Sequence, residues 1–167
     1  MLVLRVLALT ARAAQLTCGF WHPLPPARPC NRYVEATLTS VFGGLVAFVR
    51  EAEAEAAADA RAKEAGDGGR VSSRSREQLD AQLERLVGEF AARWRAGIEQ
   101  THQVVMGHFA EALALVILKQ ALTQLLLYYT RLQDVARRRY AGQRPPFHRK
   151  IVPTSQILAE IRNYSPS

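Results

Sequence analysis

From residue 31 onward the chain places apolar side chains at three- and four-residue steps, and no stretch alternates apolar with polar as a strand would. The first stripe is Val34, Leu38, Val41/Phe42, Leu45, Val46 and Val49. That spacing predicts one amphipathic helix, with Asn31 as N-cap because its side-chain oxygen can accept from an unpaired early N–H. Gly43-Gly44 interrupts the stripe at about 1 kcal/mol per glycine relative to alanine, which predicts a kink or a close backbone approach. The run EAEAEAAADARAKEA (51–65) forms helix readily but has no apolar face beyond alanine. It is expected to be a solvated extension that stops at Gly66-Asp67-Gly68-Gly69, with a loop over 66–74.

A second helix is predicted from Ser75, where Gln78 completes a capping-box pattern. Leu79, Leu83, Leu86, Phe90, Trp94, Ile98, Val105, Phe109 and Leu113 follow on one face. Steps of mostly four residues suit a globular bundle rather than a heptad-locked coiled coil. From 77 to 107 such a helix is about 46 Å long and has to lie alongside others. Residues 112–129 are the most apolar stretch, and a turn is expected between Gly107 and Leu115. Eighteen residues would just span a membrane, but Lys119 and Gln120 sit near the middle, and a central Lys costs roughly 2.5–3.5 kcal/mol on insertion. A central bundle helix running through Leu132 to Arg139 accounts for the same residues at lower cost. Tyr140–Pro153, with Gly142, Pro145 and Pro146, is expected to be a linker. TSQILAEIRNY (154–164) is then a short helix with Ile157, Leu158 and Ile161 facing inward.

The fold class is therefore all-α: an elongated bundle of three long helices plus a short C-terminal one. A length of 167 residues suits one domain, with 49% apolar and 22% charged residues placing it among globular chains. The expected division is a leader at 1–30 and a helical domain at 31–167. The leader carries an Arg within its short apolar run and four prolines between Pro23 and Pro29. It reads equally as a targeting segment, a disordered leader or the product of an imperfect gene model. Two cysteines make no disulfide scaffold, and nothing asks for an oxidising compartment.

The net charge of +7 is uneven. Residues 1–30 hold +3, residues 31–130 hold −2 and residues 131–167 hold +6. Basicity thus belongs to the ends and not to a stripe along the fold, which weighs against a nucleic-acid surface. The strongest cationic cluster is RRRYAGQRPPFHRK (137–150), and Arg137, Arg138, Arg139, Arg144, Arg149 and Lys150 form the candidate interaction surface. Arg interleaved with Tyr140 and Phe147 could follow a nucleic-acid backbone or meet anionic lipid headgroups, and a solvated linker is the plain alternative.

Catalytic signatures are absent: there is no GxGxxG, Walker loop, GxSxG or HExxH. His102 and His108, six apart, fall on different faces of a helix and make no metal pair. Cys18, His22 and Cys30 lack a fourth ligand. Glu51, Glu53 and Glu55 fan around a helix instead of converging, and Trp94, Tyr128 and Tyr129 lie at core spacings. No catalytic, cofactor-binding or metal-binding residue is assigned, and no cofactor is expected.

Two segments are distinctive beyond composition. FGGLVAFVREAEA (42–54) and ALTQLLLYYTRL (121–132), with QVVMGHF (103–109) between them, resemble the C-terminal region of the vacuolar protein sorting-associated protein 52 family. The resemblance spans roughly residues 31–164. It implies a non-enzymatic, peripheral-membrane subunit of the Golgi-associated retrograde protein tethering complex. Sister subunits, Rab-family small GTPases and SNAREs are the implied partners, at trans-Golgi network and endosome membranes. The family's long N-terminal coiled coil is absent from this sequence, so on this reading the chain is a fragment or a truncated gene model. The alternative function is a small helical protein that binds nucleic acid through its Arg-rich segment.

Overall fold

The structure, a computed structural model, describes residues 28–64, 73–140, 143 and 145–164. Four α-helices occur among them: α1 (Arg28–Glu64), α2 (Ser73–His108), α3 (Glu111–Arg139) and α4 (Thr154–Tyr164). No strand occurs among the described residues. The expected leader up to residue 27 and most of the expected loop at 66–74 lie outside them.

The α2–α3 hairpin is the spine. Its turn is only Phe109–Ala110, with Ala110 extended (φ −61°, ψ 145°). Neither residue is a Pro or Gly; Phe109 is instead anchored edge-on against the ring of Tyr33, 4.8 Å between centroids. α3 passes along both α1 and α2 and also touches α4, as expected of a central helix. Ile117, Leu118, Ala121, Leu122 and Leu125 are all at most 1% exposed. Each large aliphatic buried this way contributes about 1.5–3 kcal/mol. By length and composition α3 could also cross a membrane, with 44% of its most apolar window buried in the bundle. Its outward face carries the exposed Leu115, Val116 and Leu127.

α1 bends where the paired glycines predict a kink. Phe42 leaves helical geometry (φ −119°, ψ 34°) immediately before the two glycines. Arg50 and Glu35 form an ion pair although 15 residues separate them. On a straight helix that separation is about 22 Å, beyond the reach of two side chains. The axis therefore turns sharply at Phe42, and α1 is two arms joined at a corner. Val34 and Leu38 on one arm, and Leu45, Val46 and Val49 on the other, are all buried, each arm with its own inward face. Residues 51, 53–58 and 61 are exposed, as the alanine-glutamate composition predicts.

Four local expectations need correction. Asn31 is no N-cap, because α1 already begins at Arg28; its side chain accepts a hydrogen bond from Gln120 of α3. α2 starts at Ser73, two residues ahead of the expected Ser75, within the usual spread of a helix boundary. The segment after α3 is not simply a solvated linker. Phe147 is 1% exposed, Val152 is buried, and a 3-10 turn forms at His148–Lys150. Phe147 packs edge-on to Tyr140, which seats the segment on the bundle. In α4, Ile157 is buried but Leu158 is 39% exposed. At 100° per residue the inward stripe runs through 157, 161 and 164, and position 158 falls off it.

Candidate functional site

The basic end of the bundle is formed by the last turn of α3 and the 3-10 turn. Arg137, Arg138 and Arg139 close α3, where positive charge complements the negative end of the helix dipole. Folding divides the six cations that the sequence groups together. Arg139 Nε donates to Asp80 Oδ1 at 2.6 Å, and the Tyr140 hydroxyl reaches the same oxygen at 3.3 Å. Lys150 Nζ lies 3.2 Å from Glu84 Oε1. Both therefore tie the end of the chain to α2. Arg137 pairs locally with Asp134 at 3.2 Å and stays largely exposed. Arg138 and Arg149 are exposed and make no ion pair among the described residues. Arg144 lies outside the described residues. The outward charge is thus carried by Arg137, Arg138 and Arg149, with Lys150 also exposed beside its Glu84 partner.

A second polar cluster sits inside the bend of α1. Tyr128 donates its hydroxyl to Glu35 Oε1 at 2.5 Å, and Arg50 grips the same carboxylate oxygen. Burial, followed by the hydrogen bond to Glu35 and then its charge, pushes the Tyr128 phenol above its ordinary range. Arg131 of α3 pairs with Glu53 at 3.3 Å, which fastens the second arm of α1 to the spine. These groups hold the bend closed.

His102 packs its ring against Tyr164, and His108 Nδ1 donates to the Val104 carbonyl at 2.5 Å. Among the described residues no group of three or more His, Cys, Asp or Glu is placed to hold a metal ion. Cys18 and His22 lie outside them. Trp94, Tyr128 and Tyr129 are core residues, each at most 5% exposed.

Comparison with known proteins adds what geometry alone does not. Over 134 residues, 80% of its length, the chain is 33% identical to vacuolar protein sorting-associated protein 52 A of Arabidopsis thaliana. Over 85 residues, half its length, it is 39% identical to protein 52 B of the same plant. The Rattus norvegicus homolog is 29% identical over 138 residues, or 82% of this chain. The chain is a homologue of vacuolar protein sorting-associated protein 52. It spans 17%, 12% and 17% of those three relatives, so it corresponds to about a sixth of a protein 52 chain or less. No family model and no solved structure matches it.

In this homologue of protein 52, two structural features escape a sequence reading. Gly97, an unremarkable glycine in α2, lies directly under the Phe42 ring at the corner of α1. Asp80 looks like any solvated helix carboxylate, yet it anchors the basic end. The hydrogen bond from Arg139 is the main cause holding its carboxyl below the ordinary range, and the Arg139 charge adds to it. A carboxyl lowered by folding stabilises the native state above the ordinary carboxylate value. That contribution is lost as pH falls through the lowered one. Asp80→Asn should cost less than about 1 kcal/mol at neutral pH, because both side chains are partly solvated. Melting curves of the two proteins should converge as the medium is acidified below the ordinary carboxylate range. A constant gap at every pH would show that Asp80 contributes by packing rather than by charge.

Proposed function

We propose that this chain is a non-enzymatic helical module of a vesicle tethering complex, acting in retrograde transport from endosomes to the trans-Golgi network. The observation that carries the reading is the sequence relation to protein 52 across four-fifths of the chain. Its mechanism is surface complementarity. Side-by-side helices present fixed faces to sister subunits, and affinity comes from a few desolvated anchors. Rab-family GTPases and SNAREs are the further partners of this reading. The basic end meets the cytoplasmic face of Golgi and endosomal membranes, each cation near an anionic surface contributing about 1 kcal/mol.

Two measurements test this. Tagged chain expressed in cells should co-isolate with the sister subunits of the tethering complex and colocalise with trans-Golgi markers; folded chain that does neither overturns the assignment. The membrane face is tested by Arg137→Glu, Arg138→Glu and Arg149→Glu together, which spares the pairs that Arg139 and Lys150 make with α2. Binding to phosphatidylserine vesicles should fall at least about tenfold and weaken steeply with salt. Unchanged vesicle binding discards this face. Retardation of RNA or DNA by the parent chain, lost in the triple variant, would favour the nucleic-acid alternative.

A further inference from the structure

The bend of α1 does more than redirect the chain. Where the corner crosses α2 it leaves an open groove of about 170 Å³. Its walls are the rings of Phe42, Phe90 and Trp94 and the side chain of Leu86, all in the core yet each keeping 5–8% of its surface exposed. The volume is close to the roughly 150 Å³ of an apolar cavity that accepts benzene, so it suits one aromatic or branched aliphatic side chain.

The glycines explain why the groove is open. A β-carbon at Gly43 would meet nothing within 4 Å, so no side chain of the described residues fills that lip. Gly44 lies 3.4 Å from Leu86 by the same measure and brings the corner close to α2 without closing over the rings. The charges at the mouth are asymmetric. Glu89 is matched to Arg85 at 3.9 Å, and Arg95 beyond the groove is matched to Glu160 at 3.8 Å. Arg93, exposed on the groove's edge, makes no ion pair among the described residues. Gln100, about two turns further along the same face of α2, offers an amide on the same edge. A slot with apolar ring walls, a polar rim and, among the described residues, one cation without an ion pair at its lip is complementary to an apolar side chain that has a carboxylate beside it.

We propose that this groove is a docking socket for an acidic segment of a partner protein, which inserts one bulky apolar side chain against Phe42, Phe90 and Trp94 and sets a neighbouring carboxylate on Arg93. The proposal rests on reading the chain as a docking module and adds a specific site to it, away from the basic end. The segment is bound through a single buried anchor with a charged rim contact, the arrangement in which a few residues dominate an interface.

The probe is 3-indolepropionate, which joins an indole to a carboxylate, with tryptamine as its cationic counterpart. Amide and indole NMR signals of the full chain are followed on titration. Indolepropionate should give saturable shifts at the Trp94 indole N–H and at Gly43, Gly44 and Gly97, in the millimolar range expected of so small a ligand. Tryptamine should bind at least about tenfold more weakly, one matched charge against one repelled. Gly43→Leu, which places a side chain in the open lip, should abolish the shifts. Arg93→Glu, an exposed change that leaves the walls intact, should weaken indolepropionate about tenfold and erase its advantage over tryptamine. Shifts that never localise to the groove, equal binding of the two probes, or indifference to both variants would overturn the proposal. Neither variant touches Arg137, Arg138 or Arg149, so vesicle binding should be unchanged and the two readings fail separately.

Discussion

Tyr129→Ala is expected to lower the stability of the bundle by about 3–5 kcal/mol, the range for removing a large aromatic from a packed interior. Tyr129 is 1% exposed and sits where three parts of the chain meet. Its ring stacks on Phe90 of α2, with centroids 4.4 Å apart and planes 18° from parallel. Its hydroxyl donates to the Val152 carbonyl at 2.8 Å, which fixes the strand of chain leading into α4. Tyr129→Phe separates the two contributions. It preserves the stack but leaves a buried carbonyl without its donor, at about 1–3 kcal/mol. Urea unfolding of the three proteins measures both steps, and hydrogen exchange should show the phenylalanine variant loosening first around residues 152–157. Equal losses for the two substitutions would mean that the hydroxyl, and not the stack, organises this junction. Burial also pushes the Tyr129 phenol above its ordinary range. The unfolded chain therefore ionises first as pH rises past that range, and stability falls there. Tyr129→Phe should reduce that alkaline loss.

Gly97→Ala and Gly88→Ala are expected to move stability in opposite directions, although both exchange glycine for alanine in the same helix. Alanine gains up to about 1 kcal/mol over glycine wherever its methyl is free. At Gly88 the added β-carbon meets nothing within 4 Å, so that gain should appear almost in full. At Gly97 the added carbon would lie 2.4 Å from Cζ and 2.6 Å from Cε1 of Phe42. To make room the ring has to turn into the groove that it walls, giving up part of its buried packing at the corner and against Phe90, 6.0 Å away between centroids. Overpacking of this kind costs about 1–3 kcal/mol, or more where the surroundings are fixed, and outweighs the propensity gain. Thermal melts of both variants, read beside the parent chain, decide the matter. If Gly97→Ala is as stabilising as Gly88→Ala, the corner of α1 yields easily and does not lock against α2.

The helical class, the four helices and the central place of α3 were legible because they follow from short-range rules. Apolar residues at three- and four-residue steps make an inward face whatever lies opposite it. Lys119 sits on the exposed side of α3 while Leu118, Ala121 and Leu122 are fully buried, as the periodicity alone requires. The family resemblance was legible for a related reason: Phe-Gly-Gly-Leu is an unusual string to find inside a helix. Its consequence was only half visible. Two glycines announce that a helix can bend, but not by how much or around what. The corner is set by an ion pair across 15 residues and by a ring seated on Gly97, 55 positions further along the chain.

The basic cluster shows the same division from the side of charge. Composition placed +6 on the last 37 residues and grouped six cations as one surface. Which of them face outward depends on where α2 brings Asp80 and Glu84, and that is a property of the α2–α3 hairpin. Likewise the prolines after α3 rightly ended the helix, but only the packed bundle offers Phe147 and Val152 a place to be buried. Sequence by itself determined the four helices, their order and, Leu158 apart, their inward faces, because those depend on neighbours within a few residues. The bend, the groove beside it and the sorting of free from engaged cations were decided by tertiary structure alone, since each depends on pairs of residues that only the folded chain brings together.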